Sequence, residues 1–170
     1  PTVSYIGIHA GCAVGFEWKR WPLERFVEVA AHMAQKYPNL RVLLFGGKDE
    51  AADKQYMLKM INEHGEIAYD IAAPLLTTAA IMKKCSFFLS NDSGLMHIAA
   101  ATGVPTLGLF GPTSEILTGP RGEHSSFLRA PGTIAVYDTE KNNSFGNTSH
   151  ESLLAISTQM VIEKIESTKS

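Results

Sequence analysis

Cysteine is scarce here. The 170 residues hold two, Cys12 and Cys85. Two cysteines make neither a disulfide framework nor, by themselves, a metal cage. No apolar run reaches the roughly 20 residues that a membrane-spanning helix needs. Charged residues make up only 19% and the net charge is -2, so there is no basic surplus of the kind that binds nucleic acid. Three common signatures are also missing. Gly-x-Gly-x-x-Gly appears at no readable strand end, which removes the dinucleotide fingerprint. The Walker pattern is absent, which argues against a nucleoside triphosphatase. No two histidines stand at the spacing of a zinc helix, so no metal is assigned.

What is present describes a globular chain. Hydrophobic residues make up 45%, enough for one domain, residues 1–170, with a full core. The sequence runs from Pro1 straight into a strand pattern, and from that pattern no signal peptide is expected. We expect a domain cut from a longer chain, working in a reducing cytoplasm.

Apolar runs alternate with helical periodicity. Val3–His9, Leu40–Phe45, Ile67–Ile71, Cys85–Leu89 and Thr106–Phe110 read as strands, rich in β-branched and aromatic residues. A last strand is expected at Phe127–Arg129, with Ile134–Tyr137 as an extension, before a polar loop from Asp138 to His150. Leu23, Phe26, Ala30, Met33 and Tyr37 fall at helical spacing after Pro22. A second helix is expected over Asp49–His64, with Ala52, Tyr56 and Met60 facing the core and Leu58 as a further core position. A third should start at an N-cap Thr77 and run to Lys84. Glu115–Ser125 reads as a loop, and Leu153, Ile156, Met160 and Val161 as a closing helix. Strands alternating with helices predict an α/β fold: a Rossmann-like parallel sheet with helices on both faces. In such sheets ligands sit at the carboxyl ends of the strands.

One stretch stands out, Ser90–Thr113. A buried strand ends in Asn91-Asp92-Ser93-Gly94, a small-residue helix follows, and Gly103-Val104-Pro105 leads into the next strand. Unpaired N–H groups at that helix start, with the helix dipole, attract phosphate. His97 follows Gly94 by one turn and can face the same ligand. The plainer reading is that Asp92 or Ser93 only caps the helix. A second candidate is the loop after the first strand. There the small residues of 10–15 allow close approach of an anion, and Lys19 and Arg20 supply positive charge. Against this, Lys19 and Arg20 also fit as a solvated pair. His9, at the end of a buried strand, reads as structural. His32, His64, His124 and His150 read as surface residues.

Asp92-Ser93-Gly94-Leu95-Met96-His97, the following Ala run, Gly103-Val104-Pro105 and Leu109-Phe110-Gly111-Pro112-Thr113 resemble the signature of glycosyltransferase family nine. That family comprises the ADP-heptose:lipopolysaccharide heptosyltransferases and their relatives. His9-Ala10-Gly11 with Lys19-Arg20-Trp21-Pro22, and Leu44-Phe45-Gly46-Gly47, match two further family elements. The resemblance covers about Ile6 to Thr113. It implies the C-terminal, donor-binding half of a GT-B glycosyltransferase, with the N-terminal acceptor domain outside this chain and no metal cofactor. By the same resemblance Gly11 and Cys12 line the donor phosphates. Lys19 stabilises the leaving diphosphate, Ser93 and Gly94 give N–H groups to it, Asp92 binds sugar hydroxyls, and His97 lies beside them. The sequence departs from the family at Lys48, where relatives carry an acid for the ribose. Asp49 or Glu50 would serve instead. The donor implied is ADP-heptose, the acceptor a lipopolysaccharide core, and the place the cytoplasm or the inner membrane face. Two other readings stand beside it: a sugar-nucleotide epimerase-like domain and a non-catalytic nucleotide-binding module.

Overall fold

A computed structural model describes residues 2–133 and 150–168. Its frame is a six-stranded, all-parallel sheet: β1 (Ser4–His9), β2 (Leu40–Phe45), β3 (Ala68–Ile71), β4 (Phe87–Asn91), β5 (Thr106–Phe110) and β6 (Ser125–Arg129). The spatial order is β3-β2-β1-β4-β5-β6. The helices are α1 (Leu23–Lys36), α2 (Ala51–Ile61), α3 (Leu75–Met82), α4 (Gly94–Ala101), α5 (Glu115–Thr118), α6 (His150–Leu154) and α7 (Thr158–Ser167). The chain builds outward from β1 through β2 to β3, then returns to lay β4 on the other side of β1. Between β1 and β4 the order reverses, and a crevice opens there at the carboxyl ends of the strands.

Both faces of the sheet are covered, which explains why its strands are almost continuously apolar. The two-residue alternation persists within those runs. Ile6 and Ile8, Val42 and Leu44, and Phe87 and Leu89 face the larger core, with Phe26, Val29, Ala30 and Met33 of α1 and Val161 and Ile165 of α7. Leu43, Phe45 and Phe88 face the smaller one, with Met82 at the end of α3 and Ala99 of α4. Gly7 of β1 makes this second face possible. A Cβ there would stand 2.4 Å from the Phe88 ring. Without it, Phe45 and Phe88 pack over β1 with ring centroids 5.3 Å apart. Deep in this core, burial pushes the Cys85 thiol up to about 12.

Several expectations need correction. The buried face of α2 is Lys54, Met57 and Ile61, with Leu58 half-buried against the larger core, while Tyr56 and Met60 are exposed and so is Ala52. The apolar pattern misleads because a lysine occupies the inner face. α3 starts at Leu75 behind Pro74, not at a Thr77 cap, since Pro fixes a suitable φ and lacks the N–H that would need a partner. β4 starts two residues later than expected: Cys85 still belongs to the turn that closes α3, its N–H donating to Met82. Part of the expected loop after Thr113 is helical, as α5. The closing helix is two: α6 stops before Ser157, whose hydroxyl accepts from the Met160 N–H and starts α7. Ile134–Tyr137 and most of the loop from Asp138 fall outside the described residues. Among the described residues, no helix is long and apolar enough to cross a membrane.

Candidate functional site

The site is built where β1 and β4 end. Their register pairs His9 with Ser90, so the two loops leave the sheet side by side. β1 runs into a loop that closes with a 3-10 turn over Glu17–Lys19. β4 runs into Asp92 and Ser93 and then α4. The plain and the functional readings of that turn are divided between its residues. Ser93 caps α4, its Oγ accepting from the Met96 N–H at 3.3 Å, and its hydroxyl also lies 3.0 Å from that of Ser90. Asp92 does no capping. Instead its Oδ2 accepts from Lys19 Nζ at 3.1 Å and lies 3.3 Å from the Thr118 hydroxyl of α5.

The structure therefore brings together the two stretches singled out in the sequence. Lys19 is 15% exposed and Asp92 5%, so the pair is largely enclosed, the cation being the more accessible partner. The ammonium also lies 5.0 Å from the Phe16 ring centroid and 5.6 Å from that of Trp18, within cation–π range. Asp92 takes one of its three protons. Beside it, the N–H groups of Gly94 and Leu95 begin α4 and have no acceptor within the helix. Gly94 has open space where a Cβ would stand. His97 is exposed on the next turn.

The other candidates divide. Cys12 is buried, and its thiol donates to the Phe16 carbonyl at 2.9 Å and receives from Arg20 Nε at 3.4 Å. Burial raises its pKa, so its side chain serves as a tie inside the loop, leaving only its backbone to face a ligand. Arg20 turns away, to Asp53 at 3.0 Å. Gly11 backs onto Glu50, whose Oε1 would lie 1.8 Å from a Cβ there. Glu50 also accepts from the Gly47 N–H at 2.5 Å and approaches His9 Nε2 at 3.7 Å. His9 is fully enclosed, with Nδ1 3.0 Å from the Phe45 carbonyl. Burial lowers its pKa despite the carbonyl and Glu50. Asp49 is exposed, so of the two acids after β2 it is Glu50 that faces the crevice.

Three features escape a reading of the sequence. Asn91 is completely buried, with both amide atoms engaged across the crevice. Its signal was a neutral polar residue closing an apolar strand, which must find partners. Thr118 reaches Asp92 from a segment read as loop. One strand over, a cleft of about 430 Å3 lies at the ends of β2 and β3, lined by Gly46, Gly47, Lys54, Asp70, Ala73 and Pro74 among others. Lys54 is paired there with Asp70 at 2.5 Å. Among the described residues, no group of three His, Cys, Asp or Glu side chains is placed to hold a metal ion.

Residues 4–149 match the family profile described as glycosyltransferase family 9 (heptosyltransferase). The chain belongs to glycosyltransferase family 9. The chain is 31% identical over 152 residues to lipooligosaccharide heptosyltransferase 2 of Haemophilus influenzae, covering 86% of this chain and 42% of that one. It is 30% identical to lipopolysaccharide heptosyltransferase 2 of Salmonella typhimurium, covering 88% and 42%. Among solved structures, the ADP-heptose LPS heptosyltransferase II of E. coli superposes with a TM-score of 0.81 at 27% identity, covering 98% of this chain and 46% of that one. A family 9 glycosyl transferase from Veillonella parvula gives 0.76 at 30% identity, covering 98% and 46%. This family 9 chain thus spans less than half the length of the relatives it matches.

Proposed function

We propose that this chain is the donor-binding half of a heptosyltransferase that moves heptose from ADP-heptose to a lipopolysaccharide core acceptor, with inversion. The observation that carries this reading is the Lys19–Asp92 pair at 3.1 Å beside the start of α4. In transfer from a nucleotide diphosphate sugar, positive charge grows at the anomeric carbon and negative charge on the departing diphosphate. A preorganised cation and helix N–H groups stabilise that leaving group at the moment it forms. Lys19 takes this part, with the Gly94 and Leu95 N–H groups, and with the backbone of Gly11 and Cys12 closing the other side. Asp92, held by Lys19 and Thr118, accepts from sugar hydroxyls, and His97 borders the same space. The nucleoside lies over the ends of β2 and β3. Glu50 accepts from the ribose there, and the neighbouring cleft takes the base.

Inverting transfer also needs a base at the acceptor hydroxyl. In this reading it belongs to the acceptor-binding domain, and the 170-residue chain binds donor without catalysing. Names of relatives support the substrate: E. coli heptosyltransferase II acts with ADP-heptose by its own name, and the Salmonella relative acts on lipopolysaccharide. A lipid-linked acceptor would place the reaction at the inner membrane face. Calorimetric titration of the chain with ADP, UDP and GDP tests the reading. ADP should bind, and more tightly than the other two. Failure of all three at millimolar concentration overturns it in favour of a module without nucleotide function.

A further inference from the structure

We infer that Asn91 is the positioning residue of the crevice: a single amide that closes the loop carrying Lys19. Its Nδ2 donates to the Ala10 carbonyl at 2.7 Å, where the loop leaves β1. Its Oδ1 accepts from the Trp21 N–H at 3.0 Å, where the loop ends. The two bonds draw both ends of the loop onto the last residue of β4, one position before Asp92. Lys19 lies inside the closed segment, two residues from its second anchor. A loop closed this way has far fewer conformations in which its ammonium can leave Asp92.

The anchor at Trp21 is itself fixed. Its indole is 1% exposed, donates to the Ile156 carbonyl at 2.9 Å and meets the Phe26 ring edge-on at 5.0 Å. Arg25 donates to the same carbonyl at 2.5 Å and to that of Leu154 at 2.7 Å. Rigid ground therefore lies on both sides of Asn91: β1 at one bond and the α1–α6–α7 packing at the other. Asn91 is 0% exposed, out of reach of anything bound at the surface. It acts through Lys19, and only the meaning of that action rests on the donor-site reading above.

The test is lysine acylation of the folded chain, read by mass spectrometry, with the exposed Lys83 and Lys84 as internal standards. Asn91→Asp keeps the acceptor for Trp21 and loses the donor to Ala10; Asn91→Ala loses both. Losing a buried hydrogen bond should raise the Lys19 labelling rate about tenfold in Asn91→Asp, and further in Asn91→Ala. Lys83 and Lys84 should not change. An unchanged Lys19 rate in a folded variant overturns the inference. Should neither variant fold, hydrogen exchange on the unsubstituted chain in rising urea decides. The Trp21 amide and Lys19 must lose protection together, and Lys19 becoming reactive while Trp21 stays protected overturns the inference. A second arm measures ADP affinity in a double-mutant cycle. The loss caused by Lys19→Gln should shrink toward none in the Asn91→Asp background, whereas a merely structural role would leave the two effects additive. Absence of ADP binding to the unsubstituted chain would sink the functional reading, while the labelling arm would still decide the clamp.

Discussion

Two corners of the same sheet edge each hold a lysine on an aspartate, and they are opposites. At the β1–β4 corner, Lys19 is the more exposed partner, reaching a nearly buried Asp92 and lying over two aromatic rings. At the β2–β3 corner, the lysine is the buried partner. Lys54 is 7% exposed against 32% for Asp70, and it also donates to the Gly46 carbonyl at 3.1 Å. Lys54 comes up from inside a helix face and fastens the ends of two strands. Lys19 rides on a loop and holds Asp92 and two aromatic rings of its own loop rather than strand backbone. The same pair of residue types is tied to backbone at one corner and packed on aromatic rings at the other.

The largest effects should separate the two corners. Lys19→Gln removes the charge and should lower ADP affinity by roughly 10- to 100-fold, the worth of a charge-assisted phosphate contact; it also leaves the nearly buried Asp92 without its cation, so the unfolding midpoint should fall as well. Lys54→Met should cost stability alone. It leaves Asp70 and the Gly46 carbonyl without their donor, at a cost of about 2 kcal/mol, below the range for a fully buried pair because Asp70 is a third exposed. Affinity for inorganic pyrophosphate, which probes only the first corner, should stay the same. Denaturant melts and calorimetry on the two variants make the comparison. A Lys19 variant that loses stability and keeps its affinity would put both corners in one structural class.

A middle-sized effect lies between the corners, at Glu50. It packs against Gly11 of the first loop and bonds Gly47 of the second. Gly11→Ala sets a Cβ where the carboxylate is, 1.8 Å from Oε1. The side chain must swing out, at about 1–2 kcal/mol for an overpacked site. Glu50→Ala should relieve most of that cost, so the double variant should be more stable than the sum of the singles predicts. Additive losses in denaturant melts would show that the two corners are not linked through Glu50.

The division between the corners also explains what a reading of residues can reach. Leu40–Phe45 and Thr106–Phe110 were legible to the residue, because β-branched and aromatic runs bounded by Gly, Pro and Asn leave little choice. The strand-helix alternation and the placing of the Lys19 loop near the Asp92 turn followed from the same signals. The inner face of α2 was not legible, because its key contact is a lysine that only Asp70 and Gly46 make tolerable inside. Asn91 was not legible as a clamp either. Its partners lie 70 and 81 positions away in the chain, and no local pattern encodes that meeting. Nor was Thr118, since a single short helical turn between Gly-rich segments has no periodicity to detect.

The smallest expected effect is set by His9, which stands under both corners. Its Nδ1 holds the Phe45 carbonyl before the second corner, and its Nε2 faces Glu50. Burial dominates, helped by the charges of Arg20 and Lys54, and lowers its pKa against the pull of Phe45 and Glu50. The folded chain therefore keeps His9 neutral at a pH where the unfolded chain, near the ordinary 6.5, takes up a proton. There the unfolded state binds more protons, so stability falls as pH falls. This contribution is complete above the unfolded value and is lost as pH drops through it toward the folded one. A single proton sets a ceiling of about 1.4 kcal/mol per pH unit on the slope. His9→Gln keeps an amide donor for Phe45 and removes the titration. Between pH 6.5 and 5.5 its urea midpoint should therefore fall less than that of the unsubstituted chain. Equal slopes would mean that His9 is protonated in the folded state as readily as outside it, paired with Glu50 as an ion pair, and the ground between the corners would then be charged rather than neutral.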